Sequence, residues 1–414
     1  MLMPTSSQQS ALAGLRVLDL SRVLAGPWAS QLLGDLGADV VKVERPGAGD
    51  DTRAWGPPWL PDGKGEPTDE SAYFLSANRN KRSITIDLSK PEGQQLVKQL
   101  AANADILIEN FKVGGLQQYG LDYNSLAALN PRLIYCSITG FGQTGPYAAR
   151  PGYDFLIQGM GGLMSLTGRP DGTEGDGPLK VGVALTDVMT GLYASVGVLA
   201  ALTNREKTGS GQHIDLALLD VQIAALANQA SNYLVGGVVP RRMGNAHPSI
   251  VPYQDFPTSD GYMIVAVGND GQFSSFCNAL GQREWALDER FATNPQRVTH
   301  RAELIALIRS VTATRTTDEW VDAMKAAGVP CGPINSLDKV FADPQVQARG
   351  VRVEISRPGM AAVPLVANPI RMSVSSIDYQ RPPPALGEHT MEVLTNWLAM
   401  SEADIADLRM RKIV

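Results

Sequence analysis

The sequence is poor in cysteine and histidine, which excludes several kinds of site. Its three cysteines, Cys136, Cys277 and Cys331, lie far apart and are odd in number, so neither a disulfide framework nor a metal knuckle is expected. Such thiols are typical of a reducing compartment, which predicts a cytoplasmic protein. The four histidines form no closely spaced pair, and no bound metal ion is expected.

Basic runs and targeting signals are also missing. The formal net charge is -6 at pH 7, and no stretch concentrates lysine and arginine enough to suggest nucleic acid or a membrane surface as a partner. The opening segment MLMPTSSQQSALAG has neither a basic region nor a long apolar core, so no targeting signal is expected there. At 414 residues the chain is long enough for two or three structural domains.

The first third of the chain contains a regular alternation of strand and helix patterns. GLRVLDLS and ADVVKVERP predict strands on either side of the helix WASQLLGDLG. DILIENF and PRLIYCSITGFG predict two further strands, with the helices PEGQQLVKQLAANA and LDYNSLAALN before each of them. This alternation predicts an α/β fold with a doubly wound, Rossmann-like parallel sheet.

In such a sheet, ligands bind beyond the carboxyl ends of the strands. The residues expected at that edge are 22–26, Glu44, Arg45, Asn110, Phe111 and 139–142. A dinucleotide site would need GxGxxG after the first strand, where this chain has only Gly26 followed by Pro27. A nicotinamide cofactor is therefore not expected.

Two polar segments separate the βαβ units. Residues 45–73 are rich in proline and glycine and too long for a simple connection, which predicts an active-site flap or an ordered surface loop. The cluster NRNKRSI follows it. Its Arg79, Lys81 and Arg82, beside Arg45, could bind phosphates or could form a solvated face, and the residues alone leave both alternatives open.

The chain is expected to form two domains. A strand pattern in GYMIVAVG and later helical patterns, one introduced by a capping box from Thr316 to Glu319, predict a smaller α/β domain. The large domain is expected to be built from both termini. Its N-terminal part would span 1–220, a linker 221–240, the small domain 241–335, and the returning linker with the C-terminal part of the large domain 336–414.

One acidic residue interrupts an otherwise apolar stretch. Residues 183–202 read VALTDVMTGLYASVGVLAAL, whose apolar spacing predicts a helix packed on most of its faces, and the run is too short to cross a bilayer. Asp187 falls in the first turn of that helix. Taken alone, it is either a helix N-cap or a carboxylate that the helix N-terminus keeps ionised as a nucleophile or base.

A set of motifs runs through the chain in a fixed order. They are RVLDLSRVLAGPWASQLLGDLGADVVKVERPGAGDDTR, NRNKRSITIDL, ADILIENF, YCSITGFGQTGPYAARPGYD, GLMSLTG, the Asp187 helix, KTGSGQHIDLALLD, GVPCGPIN and LGEHT. In this order the chain resembles the family III CoA-transferases over nearly its whole length. RPGAGDDTRAWGPPW, NYLVG, SIVPYQDF and RPPPALGEHT most resemble the branch of that family that uses dicarboxylates.

The resemblance implies roles for individual residues. Asp187 matches the catalytic nucleophile of the family. The implied CoA contacts are Val23, Leu24, Ala25, Arg45, Ile86, Asp87, Leu88, Ser89, Asn110, Phe111, Lys112, Arg150 and Tyr153. The implied substrate pocket consists of Trp55, Tyr73, Asp154, Gly244, Asn245, Ala246 and His247, with the loop 244–249 lying over the reaction centre.

The chain also departs from some members of the family. Oxalate-using members have glutamine at the position of Leu24 and glycines in place of NAHPS, which argues against oxalate or formate as a substrate. Racemase members have a histidine where this chain has Tyr153. An acyl-CoA racemase with Asp187 as its base is the alternative that Tyr153 disfavours. A CoA-binding protein without catalysis, in which Asp187 is only a cap, is the other alternative.

The resemblance further implies a reaction and an assembly. CoA would move from an acyl-CoA, expected to be succinyl-CoA, to a free carboxylic acid, expected to be a dicarboxylate such as glutarate. The CoA thioester is a substrate, and no tightly bound cofactor is implied. A distal carboxylate needs a cation, for which Arg22, Arg53 and Arg79 are the candidates. Family members are interlocked homodimers, and a chain that leaves the large domain near 220 and returns near 345 suits that arrangement.

Overall fold

The computed structural model describes residues 10–357 and 360–414, which divide into two units. The first unit contains the chain up to Leu163, Lys180–Val238 and Gln347–Val414, and the second contains Met164–Leu179 and Val239–Val346. Compared with the predicted boundaries, 164–179 and 336–346 join the second unit and 221–238 joins the first. The predicted absence of a targeting signal concerns mainly residues 1–9, which lie outside the described residues.

The first unit is built around one parallel sheet. The strands of the first unit are β1 Arg16–Asp19, β2 Asp39–Glu44, β3 Trp59–Pro61, β4 Pro67–Ser71, β5 Lys81–Thr85, β6 Ile106–Glu109, β7 Ile134–Thr139, β10 His213–Ala217, β14 Arg352–Arg357 and β15 Met360–Val366. Within the described residues, six of these strands pair in the order β10-β7-β6-β1-β2-β5, and every pairing is parallel. The predicted α/β fold with a parallel sheet is therefore confirmed. β3 with β4 and β14 with β15 form separate antiparallel pairs.

Helices cover both faces of the sheet. The helices of the first unit are α1 Ala25–Asp35, α2 Ala72–Ser76, α3 Pro91–Ala102, α4 Tyr123–Leu129, α5 Asp154–Met160, α7 Leu185–Thr208, α8 Leu218–Ala225, α9 Ala227–Gly236, α16 Thr390–Leu398 and α17 Glu402–Met410. α6 Leu163–Leu166 and α15 Pro344–Ala348 lie where the chain passes between the units. One apolar core joins α3, α4, α16 and α17 to the sheet, and the other joins α1 and α7 to its opposite face. Because both faces are covered, β6 and β7 are buried along their whole length.

The strand order creates a switch point beside the central strand. After β1 the chain moves to one side, to β2 and β5, and later to the other side, to β6, β7 and β10. The carboxyl ends of β1 and β6 therefore open onto a crevice, where ligands of doubly wound sheets bind.

β5 was not predicted as a strand, because its sequence KRSIT begins with two charges. The structure buries those charges and pairs them, so both alternatives for the cluster, phosphate binding and a solvated face, are wrong. Lys81 contacts Asp19 at 3.1 Å, and Arg82 contacts Asp39 at 2.5 Å. Neither cation exposes more than 5% of its side chain.

α7 contains the apolar stretch with Asp187. It has 24 residues, so the prediction that this run is too short to cross a membrane is wrong as regards length. Its length and composition alone would allow it to span a bilayer. Core helices of globular proteins can have the same length and composition. In this chain α7 packs against α1, and Ala194, Val198 and Ala201 are buried in the core between them and the sheet.

The second unit is a smaller α/β body. Its strands are β8 Gly168–Arg169, β9 Gly177–Pro178, β11 Tyr253–Pro257, β12 Tyr262–Ala266 and β13 Cys331–Pro333, and its helices are α10 Asp270–Leu280, α11 Asn294–Thr299, α12 Arg301–Thr312, α13 Thr317–Ala326 and α14 Leu337–Ala342. β11, β12 and β13 form an antiparallel sheet. The predicted capping box at Thr316 and Glu319 is confirmed at the start of α13.

Candidate active site

Asp187 lies in the first turn of α7 but does not cap it. The N-cap residue is Ala184, and the capping acceptor is Asp154, whose Oδ1 accepts from the backbone N–H of Thr186 at 2.8 Å and of Asp187 at 3.3 Å. No hydrogen bond within the described part of the chain occupies the carboxylate of Asp187. The N-cap interpretation of Asp187 is therefore wrong, and its side chain is available for another role.

The electrostatic surroundings of Asp187 differ from the expectation. Burial raises the pKa of Asp187 to about 7, and the nearby carboxylate of Asp154 contributes to the increase. Burial and Asp154 thus oppose the ionised form that the sequence-based interpretation attributed to the helix N-terminus. A carboxyl with this pKa is ionised about half of the time at pH 7 and, when ionised, is a stronger base and nucleophile than an ordinary aspartate.

Asp187 lines a cavity of about 360 Å³ at the switch point. The residues around it come from the loops after β1, β6 and β7 and from the segment before α5. Those predicted from the sequence are Val23, Leu24, Ala25, Asn110, Phe111, Lys112, Arg150 and Tyr153. The structure thus places eight of the thirteen implied CoA contacts around the carboxylate.

The other implied CoA contacts line a second cavity of about 280 Å³. They are Arg45, Ile86, Asp87, Leu88 and Ser89. The two cavities share four lining residues, namely Arg22, Asp51, Phe111 and Tyr119, so they adjoin each other. Together they form one elongated site along the carboxyl edge of β2, β1 and β6.

Side chains on β6 and after it fix the loops of this site. Asn110 accepts from the backbone N–H of Arg22 at 2.9 Å and donates to its carbonyl at 2.7 Å, which ties the loops after β1 and β6 together. Glu109 accepts from the backbone N–H of Phe111 at 2.7 Å. Burial raises the pKa of Glu109 to about 7.

Two glycines allow another close approach at the cavity wall. A Cβ on Gly152 would lie 2.4 Å from the Cα of Gly140, nearer than any real side chain tolerates. The loop after β7 and the segment leading to Tyr153 can therefore touch only because both positions lack a side chain.

Trp55 and Tyr73 form an aromatic pair in the long segment after β2. Their rings meet edge to face, with centroids 5.2 Å apart. Burial and then the carboxylates of Asp187 and Asp154 raise the pKa of the Tyr73 phenol to about 12. Tyr73 therefore lies within electrostatic reach of the candidate nucleophile.

The three arginines proposed for a distal carboxylate have different partners. Arg79 donates from two nitrogens to Asp35, at 2.9 and 2.6 Å, and is almost fully buried. Arg53 forms a similar bidentate pair with Glu44 at 2.7 Å. Arg22 lines both cavities, and it contacts Asp51 at 3.0 Å while half of its side chain is exposed. Arg22 is the candidate whose charge a ligand can reach.

The implied pocket residues of the loop 244–249 belong to the second unit. Gly244 donates to the carbonyl of Gly168, Asn245 donates to Asp255 at 3.0 Å, and the ring of His247 packs against Tyr253. Ala246 lies in the same turn. Their position over the reaction centre stays a prediction.

Sequence reasoning missed two residues that shape the site. Lys42 was counted only as part of a strand pattern, yet its ammonium is buried beside Asp50. Asp50 was counted only as part of a long loop, yet it accepts from the backbone N–H of Val23. The lysine inside the apolar run VVKVE was the available signal, because a central strand rarely carries a charge without a buried partner.

Residues 10–357 and 360–414 contain no candidate metal centre beside the cavity of Asp187. No three histidine, cysteine, aspartate or glutamate side chains in that part of the chain are grouped so as to hold a metal ion. The three thiols are free, and burial raises the pKa of Cys136 to about 12, which makes it a poor nucleophile.

The fold is doubly wound α/β, and at its switch point lies a half-buried aspartate whose carboxylate does not cap a helix. This arrangement suits an enzyme that works through a carboxylate nucleophile. The sequence model of CoA-transferase family III matches residues 12–390. The chain belongs to this family and is a CoA-transferase, whose substrates include a CoA thioester.

Several relatives resemble the chain along nearly its full length. The succinate–glutarate CoA-transferase of Agrobacterium fabrum is 54% identical over 388 residues, which cover 94% of this chain and 96% of that one. The human succinyl-CoA:glutarate CoA-transferase is 44% identical, with 96% of this chain and 88% of that one covered. A CAIB/BAIF family protein from Brucella suis has a similar crystal structure, with a TM-score of 0.83, 53% identity, and coverage of 94% of this chain and all of that one.

Proposed function

We propose that this enzyme transfers CoA from succinyl-CoA to glutarate through two covalent intermediates on Asp187. The observation that carries the proposal is the position of Asp187, whose carboxylate has no capping role and lines the cavity formed by the implied CoA contacts. The names of the relatives from Agrobacterium fabrum and human, both matched across more than nine tenths of this chain, support the choice of acids.

The proposed first half-reaction moves CoA onto the enzyme. The ionised carboxylate of Asp187 attacks the thioester carbon of succinyl-CoA, the C–S bond breaks, and CoA leaves as a thiolate. The product is a mixed anhydride of succinate and Asp187. The thiolate then attacks the aspartyl carbonyl of the anhydride and expels succinate, which leaves an aspartyl-CoA thioester.

The second half-reaction runs the same steps in reverse with glutarate. A glutarate carboxylate attacks the aspartyl thioester and releases the CoA thiolate, which gives a mixed anhydride of glutarate and Asp187. The thiolate attacks the glutaryl carbonyl and restores the Asp187 carboxylate. The reaction consumes no water and releases no net proton. Because water would hydrolyse the anhydride and thioester intermediates, the site must exclude it.

The start of α1 can stabilise the oxyanions of these steps. α1 begins at Ala25, which lines the cavity of Asp187, and no side chain of the described residues caps it. The first backbone N–H groups of a helix have no partner inside the helix and carry the positive end of its dipole. Such donors suit the negative charge that develops on a tetrahedral intermediate.

The two alternatives are less well supported. A racemase needs a second acid or base near Asp187, but this chain has Tyr153, whose side chain is 66% exposed at the cavity rim. A CoA-binding protein without catalysis required Asp187 to be a cap, and Asp154 has that role.

The proposal is tested by incubating the enzyme with succinyl-CoA and glutarate between pH 5.5 and 8.5. We expect glutaryl-CoA and succinate in equal amounts. Because the attacking form of Asp187 is ionised and burial raises its pKa to about 7, kcat/KM should fall as the pH decreases through about 7. Release of free CoA without glutaryl-CoA would contradict the proposal.

Replacement of Asp154 tests whether its charge contributes to this pH dependence. Asp154→Asn keeps an oxygen that can cap α7 but removes the negative charge beside Asp187, so the midpoint of the pH profile should move to lower pH. Asp318→Asn, at an exposed position of α13, removes the same charge elsewhere and should leave the midpoint unchanged. Equal midpoints for all three enzymes would show that the charge of Asp154 does not contribute to the pH dependence.

We also propose that the enzyme is an interlocked homodimer. Large apolar side chains are exposed on α7 at Leu192 and Val196 and at the end of α9, where Val235 is 89% exposed. A monomer rarely leaves such groups in water, and a second copy of the chain would cover them. Sedimentation should show a dimer that does not dissociate on dilution unless it unfolds. A stable, active monomer would exclude this assembly.

A further inference from the structure

Val23 has an unusual backbone conformation at the edge of the active site. Its φ is 71°, in the left-handed region, although valine is branched at Cβ and rarely adopts it. Val23 stands between the end of β1 and the start of α1, and it lines the same cavity as Asp187. A conformation that a residue avoids by itself must be held by its surroundings.

Asp50 provides that hold from the next loop. Its two carboxylate oxygens accept from the backbone N–H of Val23 at 3.2 and 3.3 Å. The same carboxylate accepts from the backbone N–H and the hydroxyl of Thr52, at 3.0 and 2.9 Å, which fixes its own orientation. Asp50 is only 1% exposed, so water does not compete for these contacts.

Lys42 fixes Asp50 and the other side of the turn. Its ammonium lies 2.8 Å from Asp50 and donates to the carbonyl of Ser21 at 2.8 Å. Lys42 and Asp50 expose none of their side chains. Burial alone would raise the pKa of Asp50, but Lys42 and then Thr52 hold it at about 2, so the carboxylate stays charged.

The pair is poorly explained by stability alone. Burying two charges costs hydration free energy, which their mutual attraction only roughly offsets. An apolar pair of similar size would therefore stabilise the core about as well. An apolar pair, however, could neither accept a hydrogen bond from the backbone N–H of Val23 nor donate one to the carbonyl of Ser21. These contacts clamp the turn from both sides.

We infer that Lys42 and Asp50 are positioning residues for CoA transfer, which hold Val23 in its left-handed conformation and thereby place Leu24 and Ala25 in the cavity of Asp187. This inference rests on the proposed function for its effect on turnover. Its structural part, the clamped turn at Val23, is independent of which acids are used. Neither residue lines the cavity of Asp187, although both line the adjoining second cavity, so the effect on the Asp187 cavity passes through the backbone of Val23.

The test replaces the pair and then relieves the strain. Lys42→Met with Asp50→Val removes both charges together, and valine suits the extended backbone of Asp50. We expect kcat/KM for succinyl-CoA and glutarate to fall at least about tenfold, because Val23 relaxes out of the left-handed region. Adding Val23→Gly should recover at least about threefold of that loss, since glycine adopts this conformation without strain, although the valine side chain is then missing from the cavity.

A matched control separates positioning from stability. Ala399, the C-cap of α16, also has a left-handed backbone, with a φ of 52°. Ala399→Gly relieves a comparable strain away from the cavities, so adding it to the double variant should not restore kcat/KM. If Lys42→Met/Asp50→Val does not fold, Asp50→Asn carries the same comparison, with an expected loss of about threefold.

Hydrogen exchange of residues 20–28 measures the turn without any substrate. Exchange should be faster in Lys42→Met/Asp50→Val than in wild type, while exchange in α16 stays the same. Unchanged exchange at 20–28, or equal recovery of kcat/KM by Val23→Gly and Ala399→Gly, would overturn the inference. If the wild type does not use succinyl-CoA and glutarate, the proposed acids are wrong, and the exchange measurement still tests whether the pair holds the turn at Val23.

Discussion

Asp187→Asn should abolish CoA transfer and leave the protein folded. An amide is not a nucleophile, so neither the anhydride nor the aspartyl thioester can form, and we expect kcat to fall by about 10³-fold or more. The fold should tolerate the change because the Asp187 carboxylate makes no hydrogen bond within the described residues and Asp154 caps α7.

The stability of this variant gives an internal check with a defined sign. The folded-state pKa of Asp187 is raised to about 7, above the ordinary value of 3.8, so ionising it destabilises the wild type as the pH rises from about 4 to about 7. Asp187→Asn removes that cost. Its Tm should equal or exceed that of wild type above pH 7. A folded Asp187→Asn enzyme with appreciable transfer would show that another group is the nucleophile.

Arg22→Met should erase the preference for dicarboxylates. In the wild type, we expect kcat/KM for glutarate to exceed that for butyrate or acetate by at least about tenfold, or roughly 1.4 kcal/mol, because one arginine pairs with the distal carboxylate. Arg22 lines both cavities and is half exposed, whereas Arg53 and Arg79 are committed to Glu44 and Asp35. In Arg22→Met the ratio should approach one.

The control for this variant is an arginine of similar exposure away from the cavities. Arg132→Met, just before β7, removes an exposed guanidinium that donates to the carbonyl of Gly209 at the end of α7, and it should keep the preference for glutarate. Equal use of glutarate and butyrate by the wild type would refute the assignment of a dicarboxylate. Loss of the preference in both variants would remove Arg22 from its proposed role.

Much of the sheet could be predicted because its strands are apolar and regularly alternate with helices. β1, β2, β6 and β7 fall where the sequence placed them, and their carboxyl ends bring Val23, Asn110 and Arg150 around one cavity. Topology alone fixes that edge, since parallel strands end on the same side. The neighbourhood of the site thus follows from local patterns and chain order.

The charged parts of the fold could not be predicted in the same way. β5 begins with Lys81 and Arg82, and whether such residues are buried depends on carboxylates far away in the sequence, here Asp19 and Asp39. The same reason explains why the Lys42–Asp50 pair was missed. Local patterns report apolar burial, but they do not report which distant charge will compensate a buried one.

The chemistry of Asp187 shows the same division. Its place at the start of α7 was predicted from spacing. That its carboxylate does not cap α7 depends on Asp154, a residue of α5 that caps α7 instead. Its raised pKa also results from burial and from Asp154 together. Both properties arise from tertiary contacts, and they separate a nucleophile from a structural cap.

The most direct test of the covalent mechanism is to trap the aspartyl-CoA thioester through reagents that displace CoA and leave a stable modification on Asp187. Wild type and Asp187→Asn would be incubated with succinyl-CoA and no acceptor, treated with borohydride or hydroxylamine, digested and analysed by mass spectrometry. Trapping should modify the peptide of α7 at Asp187 in the wild type, inactivate the enzyme in proportion, and leave Asp187→Asn unmodified. Active wild-type enzyme that remains unmodified, or the same modification on any other residue, would contradict the central role of Asp187.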